Sequence, residues 1–259
     1  MAFALCFFLN RCTLNENLIM QPTDSEPSSI KLSSVFEAAS PVELFFTPYT
    51  APDIDFMELG ILGKIASGPC LFEYFRIPPT SDDIGNCMLQ LFAWHNKLHQ
   101  KVQQESKKPP TEEALPHLWI IIAAPTEALL EAFLEEFGTS KNLSNWYQGV
   151  YFLEEDSKTS IIAINQLPVT PETLWLRMLG RETVLEQAVT EFLALPKDYP
   201  LRGKILKLAA NWYASNEKEE DLTAEDKELL MLLSPIYQEW EEVVASSEVA
   251  SSEVASSEK

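Results

Sequence analysis

The run Leu118-Trp-Ile-Ile-Ile-Ala123 is apolar at every position. A strand with one wet face alternates apolar and polar residues. A run without alternation belongs to a strand covered on both faces, usually the centre of a sheet. Such a sheet needs helices over it, so the segment points to an α/β fold. The flanks agree. Residues 105–114 form a polar, proline-containing loop before it, and Pro125-Thr126 turns the chain into an amphipathic helix to Phe137 that Gly138 ends.

Other strands follow from the same reasoning. Val42–Phe46 is a short apolar run closed by Thr47-Pro48, and Cys70–Phe75 is a second, closed by Pro78-Pro79. Val150–Leu153 and Ser160–Gln166 flank the polar turn Glu154–Lys158 and read as a hairpin. Between Cys70–Phe75 and the central run the period changes. Ile84, Cys87, Met88, Leu91, His95, Leu98 and Val102 make one helical stripe. Thr80 or Ser81 caps that helix, and Asp82-Asp83 suit its positive end. A short helix is expected over Asp55–Lys64, broken at Gly60 and Gly63.

The last third reads as helices. Thr170-Pro171-Glu172 opens one that Gly180 stops, and Val184–Leu193 forms the next. Pro200 opens a third, with Leu201, Ile205, Leu208 and Trp212 on a stripe. Thr223-Ala-Glu-Asp226 opens a fourth, which Ser234-Pro235 is expected to break. The chain ends in three copies of Val-Ala-Ser-Ser-Glu, too poor in apolar area to fold alone. The organisation expected is therefore an apolar start and polar linker over 1–27, without fixed structure. An α/β core follows over 28–165, then helices packed on it over 166–243, and a disordered tail over 244–259.

Composition narrows the partners. The chain carries 39 acidic and 19 basic residues, a net charge of −20. Phosphates are repelled over most of such a surface, which argues against nucleic acid or an anionic membrane as the default partner, though not against a local basic cleft. Cys6, Cys12, Cys70 and Cys87 show no C-x-x-C spacing. Cys70 and Cys87 sit in apolar runs and read as buried free thiols, which suits a reducing compartment such as the cytoplasm. The start Met1–Leu9 has no preceding basic residue and no cleavage site, and it is too short to span a bilayer. It reads as an over-extended beginning, with Met20 an alternative start, or as a short extension that docks on the domain.

Several chemistries lack their residues: there is no G-x-S-x-G and no H-E-x-x-H. Gly60-Ile-Leu-Gly-Lys64 lacks the spacing of a phosphate loop and reads as a helix break. His95 and His99 have the i, i+4 spacing of metal ligands, but His95 lies on the apolar stripe and reads as a core histidine. His117 carries no pattern. The distinctive pair is Glu43 and Glu73, each set inside an apolar strand. A carboxylate there is costly unless it is paired, hydrogen-bonded, metal-bound or exposed. If the two strands pair antiparallel, both groups could meet on one face and offer oxygen ligands to Mg²⁺, which can activate water for phosphodiester hydrolysis. The plain alternative has Glu43 in solvent and Glu73 paired with Arg76 or a helix arginine.

Several segments carry a family resemblance. They are Val42–Pro48, Leu59–Ala66, Pro69–Pro78 and Gln166-Leu-Pro-Val-Thr-Pro-Glu-Thr-Leu-Trp-Leu-Arg-Met-Leu-Gly-Arg181, and the likeness then runs through Leu195-Pro196 to Leu233–Tyr237. Over roughly residues 40–240 the chain resembles a group of bacterial proteins abundant in cyanobacteria, some labelled flagellar assembly protein H. That group in turn resembles the PD-(D/E)XK nucleases and the Rpn-type recombination-promoting nucleases or transposases. The resemblance implies a restriction-endonuclease-like mixed sheet flanked by helices, with a C-terminal group of amphipathic helices. It places Glu43 at the first acidic position and Glu73 at the start of D/E-x-K, both as Mg²⁺ ligands. The lysine position holds Phe75. Arg76 follows as the remaining basic candidate on this strand, although alternation points it to the other face. Lys64, Lys97 and Arg177 are the alternatives from other elements. The first helix that the resemblance implies, with its own acidic residue, is not recognisable in residues 1–40, and Glu37 is only a candidate for that acid. Two expectations stand: a catalytically degenerate fold that binds a protein or nucleic acid, or a Mg²⁺-dependent DNA or RNA nuclease. No membrane partner is expected, and a homodimer is allowed.

Overall fold

The computed structural model describes residues 44–46, 56–106, 110–111, 114–139, 146–154, 157–199, 201–216 and 224–257. The chain folds as α/β in two compact units, one ending at Arg181 and the other beginning at Glu182. The expected boundary at 165/166 therefore moves. The segment after residue 165 belongs with the sheet, through contacts given below.

In the first unit the described strands are β1 (Leu44–Phe46), β2 (Cys70–Phe75), β3 (His117–Ile122), β4 (Val150–Phe152) and β5 (Thr159–Ala163). They form one mixed sheet in the order β1-β2-β3-β5-β4. β3 is central, as its unbroken apolar run requires. β2 and β5 lie parallel to it, while the outer strands β1 and β4 run antiparallel to β2 and β5. Parallel neighbours need crossovers. Helix α2 (Ser81–Ser106) connects β2 to β3, and α3 (Glu127–Phe137) follows β3.

One face of the sheet carries Leu71, Leu118, Ile120, Ile122, Ile161 and Ala163. It is packed by Ile84, Cys87, Leu91 and Trp94 of α2 and by Leu130 and Phe133 of α3. The caps match their residue types. Thr80 accepts from Asp83 N, and the Asp83 carboxylate accepts from Thr80 N at 2.8 Å, which holds its pKa below the usual carboxylate value. Thr126 accepts from Leu129 N, and Gly138 ends α3 at φ 73°.

The other face is closed by two short elements. Helix α1 (Ile61–Ile65) follows a 3₁₀ turn, Phe56–Leu59. Helix α4 (Leu174–Arg177) follows a 3₁₀ turn, Pro171–Thr173, that Thr170 caps. Gly60, at φ 56° and ψ −127°, starts α1, and a Cβ there would lie 2.2 Å from Glu172 O. Only glycine allows that backbone contact. Gly63, by contrast, sits inside α1 and does not break it. Trp175 is 1% exposed and donates its indole N–H to Glu58 O at 2.9 Å. Tyr74 donates to Leu179 O at 2.7 Å, which ties this layer to β2. These contacts assign residues 166–181 to the sheet unit. The regular part of α4 ends at Arg177, and single turns carry the chain to Gly180. β5 also ends early. Ile164–Gln166, expected to continue the strand, form a 3₁₀ turn instead.

The second unit holds α5 (Glu182–Leu193), α6 (Arg202–Asn216) and α7 (Ala224–Ser257). Arg202, 3% exposed, donates to Leu193 O at 3.1 Å and pairs with Glu239. Tyr213 stacks on Tyr237 at 4.5 Å. Two expectations are corrected here. Ser234-Pro235 does not break α7, which contains Pro235. Pro235 and Met231, the residue four positions before it, are both exposed, so water can take the carbonyl that proline frees. The repeat tail also continues the helix to Ser257. Ala and Glu favour helix, although valines five residues apart turn about 140° per repeat and cannot build one apolar stripe. No helix among the described residues is long and apolar enough to cross a membrane.

Two substitutions test the α1–α4 contact. Gly60→Ala forces a side chain into a conformation that alone costs about 1–3 kcal/mol, and drives it into the Glu172 backbone. Trp175→Ala empties a fully buried site and lowers stability by about 3–5 kcal/mol. Denaturant unfolding reads both. Near-native stability in either variant would show that the contact contributes little.

Candidate functional site

Alternation along β2 places Leu71, Glu73 and Phe75 on one face and Cys70, Phe72 and Tyr74 on the other. Leu71 is in the core beneath α2 and α3, so Glu73 belongs to that covered face. Its partner across β3 is Ile120, which is fully buried. Glu73 is half-buried. Phe75, at the lysine position of the resemblance, is half-buried and packs against the same core. The sheet therefore offers Glu73 apolar neighbours on its own face.

β1 and β2 pair antiparallel, with Leu44 opposite Phe72. That pairing is the condition set for two carboxylates on one face. Glu43 itself, like Glu37, lies outside the described residues. Among the described residues no group of three His, Cys, Asp or Glu side chains could hold a metal ion.

The basic candidates separate by face. Arg76 lies one residue past β2 and is 7% exposed, and its carbonyl accepts from Arg181 at 3.3 Å. Arg177 is 1% exposed, donating from Nε to Thr173 Oγ1 at 3.0 Å and from Nη2 to Thr170 O at 3.1 Å. It holds together the turn that caps α4, on the side of the sheet that Tyr74 faces. Lys64 is exposed, with Nζ 4.0 Å from the ring centre of Trp146. Trp146 lies 5.6 Å from Trp119, whose partner on β2 is Phe72. Lys64 is thus on the face opposite Glu73. Only Lys97, on α2, shares the face of Glu73. It lies roughly 24 Å along the helix from Ser81, beside Trp94, while Glu73 is near the end of β2 that leads into α2.

The histidines are structural in their contacts. His95 Nε2 lies 2.9 Å from Pro116 O and donates to it, which fits the core reading, and His99 is exposed. His117 is a residue that sequence pattern did not single out. Its Nε2 lies 2.8 Å from Ser160 Oγ, and its ring packs 4.7 Å from Trp119 and 6.2 Å from Phe152. Burial pushes its pKa down to about 4, helped by Lys158 and His95. Ser160 is fully buried, so its hydroxyl fixes the ring rather than facing a substrate. The only advance signal was a polar residue at the start of an otherwise apolar strand. Cys70 and Cys87 are buried free thiols, and burial raises the Cys70 pKa far above its usual value, which leaves the thiol inert.

Comparison with known protein families, with curated proteins and with solved structures finds no match for this chain.

His117 sets a pH dependence. The unfolded chain takes up a proton near pH 6.5, whereas the folded one resists until about 4. Stability is therefore intact above 6.5 and declines as pH falls through that window, by up to roughly 3 kcal/mol. Urea unfolding at stepwise pH reads the slope, and His117→Asn should flatten it. An unchanged slope in that variant would assign the effect to other groups.

Proposed function

We propose that this chain carries a PD-(D/E)XK-like nuclease fold whose catalytic centre has degenerated, and that it acts by binding a macromolecular partner. The observation that carries this reading is Phe75. It sits on the same strand face as Glu73, two residues on, where the superfamily resemblance asks for lysine. A phenyl ring can neither orient water nor offset the charge of a phosphate. Arg76 does not replace the lysine, because it is buried and strand alternation points it away from the face of Glu73. Lys64 and Arg177 belong to the opposite face. The −20 charge adds to the argument, since a general nucleic-acid surface needs the other sign.

A second reading, a Mg²⁺-dependent nuclease, rests on the antiparallel pairing of β1 with β2. In it Glu43 and Glu73 would hold the metal. Among the described residues the strand neighbours of Glu73 on its face, Leu71, Phe75 and Ile120, carry no oxygen or nitrogen side-chain ligand for such an ion. The buried thiols Cys70 and Cys87 favour a reducing compartment, and on that ground we place the protein in the cytoplasm.

Incubation of the purified chain with single-stranded DNA, double-stranded DNA and RNA, with Mg²⁺ or Mn²⁺, decides between the two. The expected outcome is no metal-dependent cleavage above a Glu73→Gln control. Cleavage that vanishes in Glu73→Gln would sink the degenerate-site reading and send the search to the missing base.

A further inference from the structure

The exposed side of α2 departs from the rest of this acidic chain. From Ile84 to Asn96 the helix has no Asp, Glu, Lys or Arg, although 22% of the whole sequence is charged. Its inner face is accounted for by Ile84, Cys87, Leu91 and Trp94 in the core. Its outer face, with Asn86, Ala93 and Asn96 exposed, is uncharged and carries two large apolar side chains. Leu89 is 66% exposed and Phe92 is 41% exposed, with Phe92 touching only the edge of His95 among described rings. Gly85, Leu89, Phe92 and Asn96 recur at spacings of four, three and four, which makes one stripe along the helix. Gly85 forms a notch in that stripe: a Cβ there would meet nothing within 4 Å. A glycine inside a helix lowers helix stability, and among the described residues no close contact requires it.

The charges stand at the two ends and are opposite in sign. Asp82 and Asp83 lie in the first turn, and Asp83 is held ionised by Thr80. Lys97 lies beyond the uncharged stretch. Such a helix complements itself when reversed. A two-fold axis near Leu89 sets Phe92 of one copy opposite Gly85 of the other, and the converse. It also brings the acidic end of each helix alongside the basic end of its partner, with the helix dipoles opposed. Charge order, the notch and the lack of like charges between two copies of a −20 chain all favour the same occupant.

We propose that α2 is a homodimer interface, with two copies packed antiparallel through Gly85, Leu89 and Phe92. One helix pair covers less than the roughly 1,600 Å² of a standard interface, so the dimer dissociates on dilution. The face is on the outside of the helix that covers Glu73, so the proposal stands or falls apart from any nuclease activity.

Sedimentation velocity of the full chain over a wide concentration range tests it. The expected result is a dimer fraction that rises with concentration. Phe92→Glu buries a charge and should weaken the dimer about tenfold or more. Gly85→Gln fills the notch and should weaken it similarly, while raising the melting temperature by a few degrees, because the free helix has room for the side chain. Since Gly85→Gln keeps the fold, it decides the matter even if Phe92→Glu misfolds. Asp82→Lys should weaken the dimer, and adding Lys97→Glu should restore it. A chain that stays monomeric at every concentration overturns the proposal, as does a dimer indifferent to Gly85→Gln. A double reversal no better than the single one overturns the antiparallel arrangement.

Discussion

A central strand that is apolar on both sides has to be dried on both sides. Leu118, Ile120 and Ile122 of β3 point one way and Trp119 and Ile121 the other, and all are buried. Leaving either set in water would cost about 1.5–3 kcal/mol per large side chain, more than any hydrogen bond in the sheet can offset. The first layer comes from crossover geometry: parallel strands need a long connection, and α2 and α3 supply their apolar stripes as they make it. The second layer cannot come from those helices. It is assembled from two short elements far apart in sequence, α1 and α4, which are too small to fold alone.

Short helices hold a position only when fixed by specific contacts. Here they are fixed by backbone. Gly60 lets its chain touch the Glu172 carbonyl, Trp175 reaches Glu58 O, and Arg177 binds the Thr170–Thr173 turn. Contacts to backbone need one particular residue type, whereas core packing tolerates any apolar residue of similar volume. That difference makes Gly60 and Trp175 less replaceable than the core residues around them.

Much of this was legible because periodicity reports local burial. Cys70–Phe75, the stripe from Ile84 to Val102 and the caps at Thr126 and Thr170 follow from side-chain spacing and the orphan backbone groups at helix ends. The end of β5, the continuation of α7 through Pro235 and the helical tail were not legible. Each depends on whether a backbone group meets solvent or another strand, which no residue type encodes. The site divides in the same way. Alternation sufficed to put Phe75 beside Glu73. Sorting Lys64, Lys97 and Arg177 by face required knowing which side of the sheet α1, α2 and α4 occupy. His117 was missed because its partner, Ser160, lies on a different strand and becomes its neighbour only through β-pairing.

The two faces of α2 then bear on function differently. Its inner face lies over β2, where phenylalanine at the lysine position adds apolar contact to the core. Once that ring is packed, a lysine there would have to bring an ammonium group into the same half-buried space. Packing therefore favours keeping the phenyl ring at this position. The outer face has no such role in stability, yet it is notched, uncharged and carries two large apolar side chains on a chain whose surface charge otherwise keeps copies apart. A solvated helix surface under no functional demand would carry the lysines and glutamates common elsewhere in this sequence. Their absence over Ile84–Asn96, with Asp82 at one end and Lys97 at the other, is the feature on which the proposed homodimer rests.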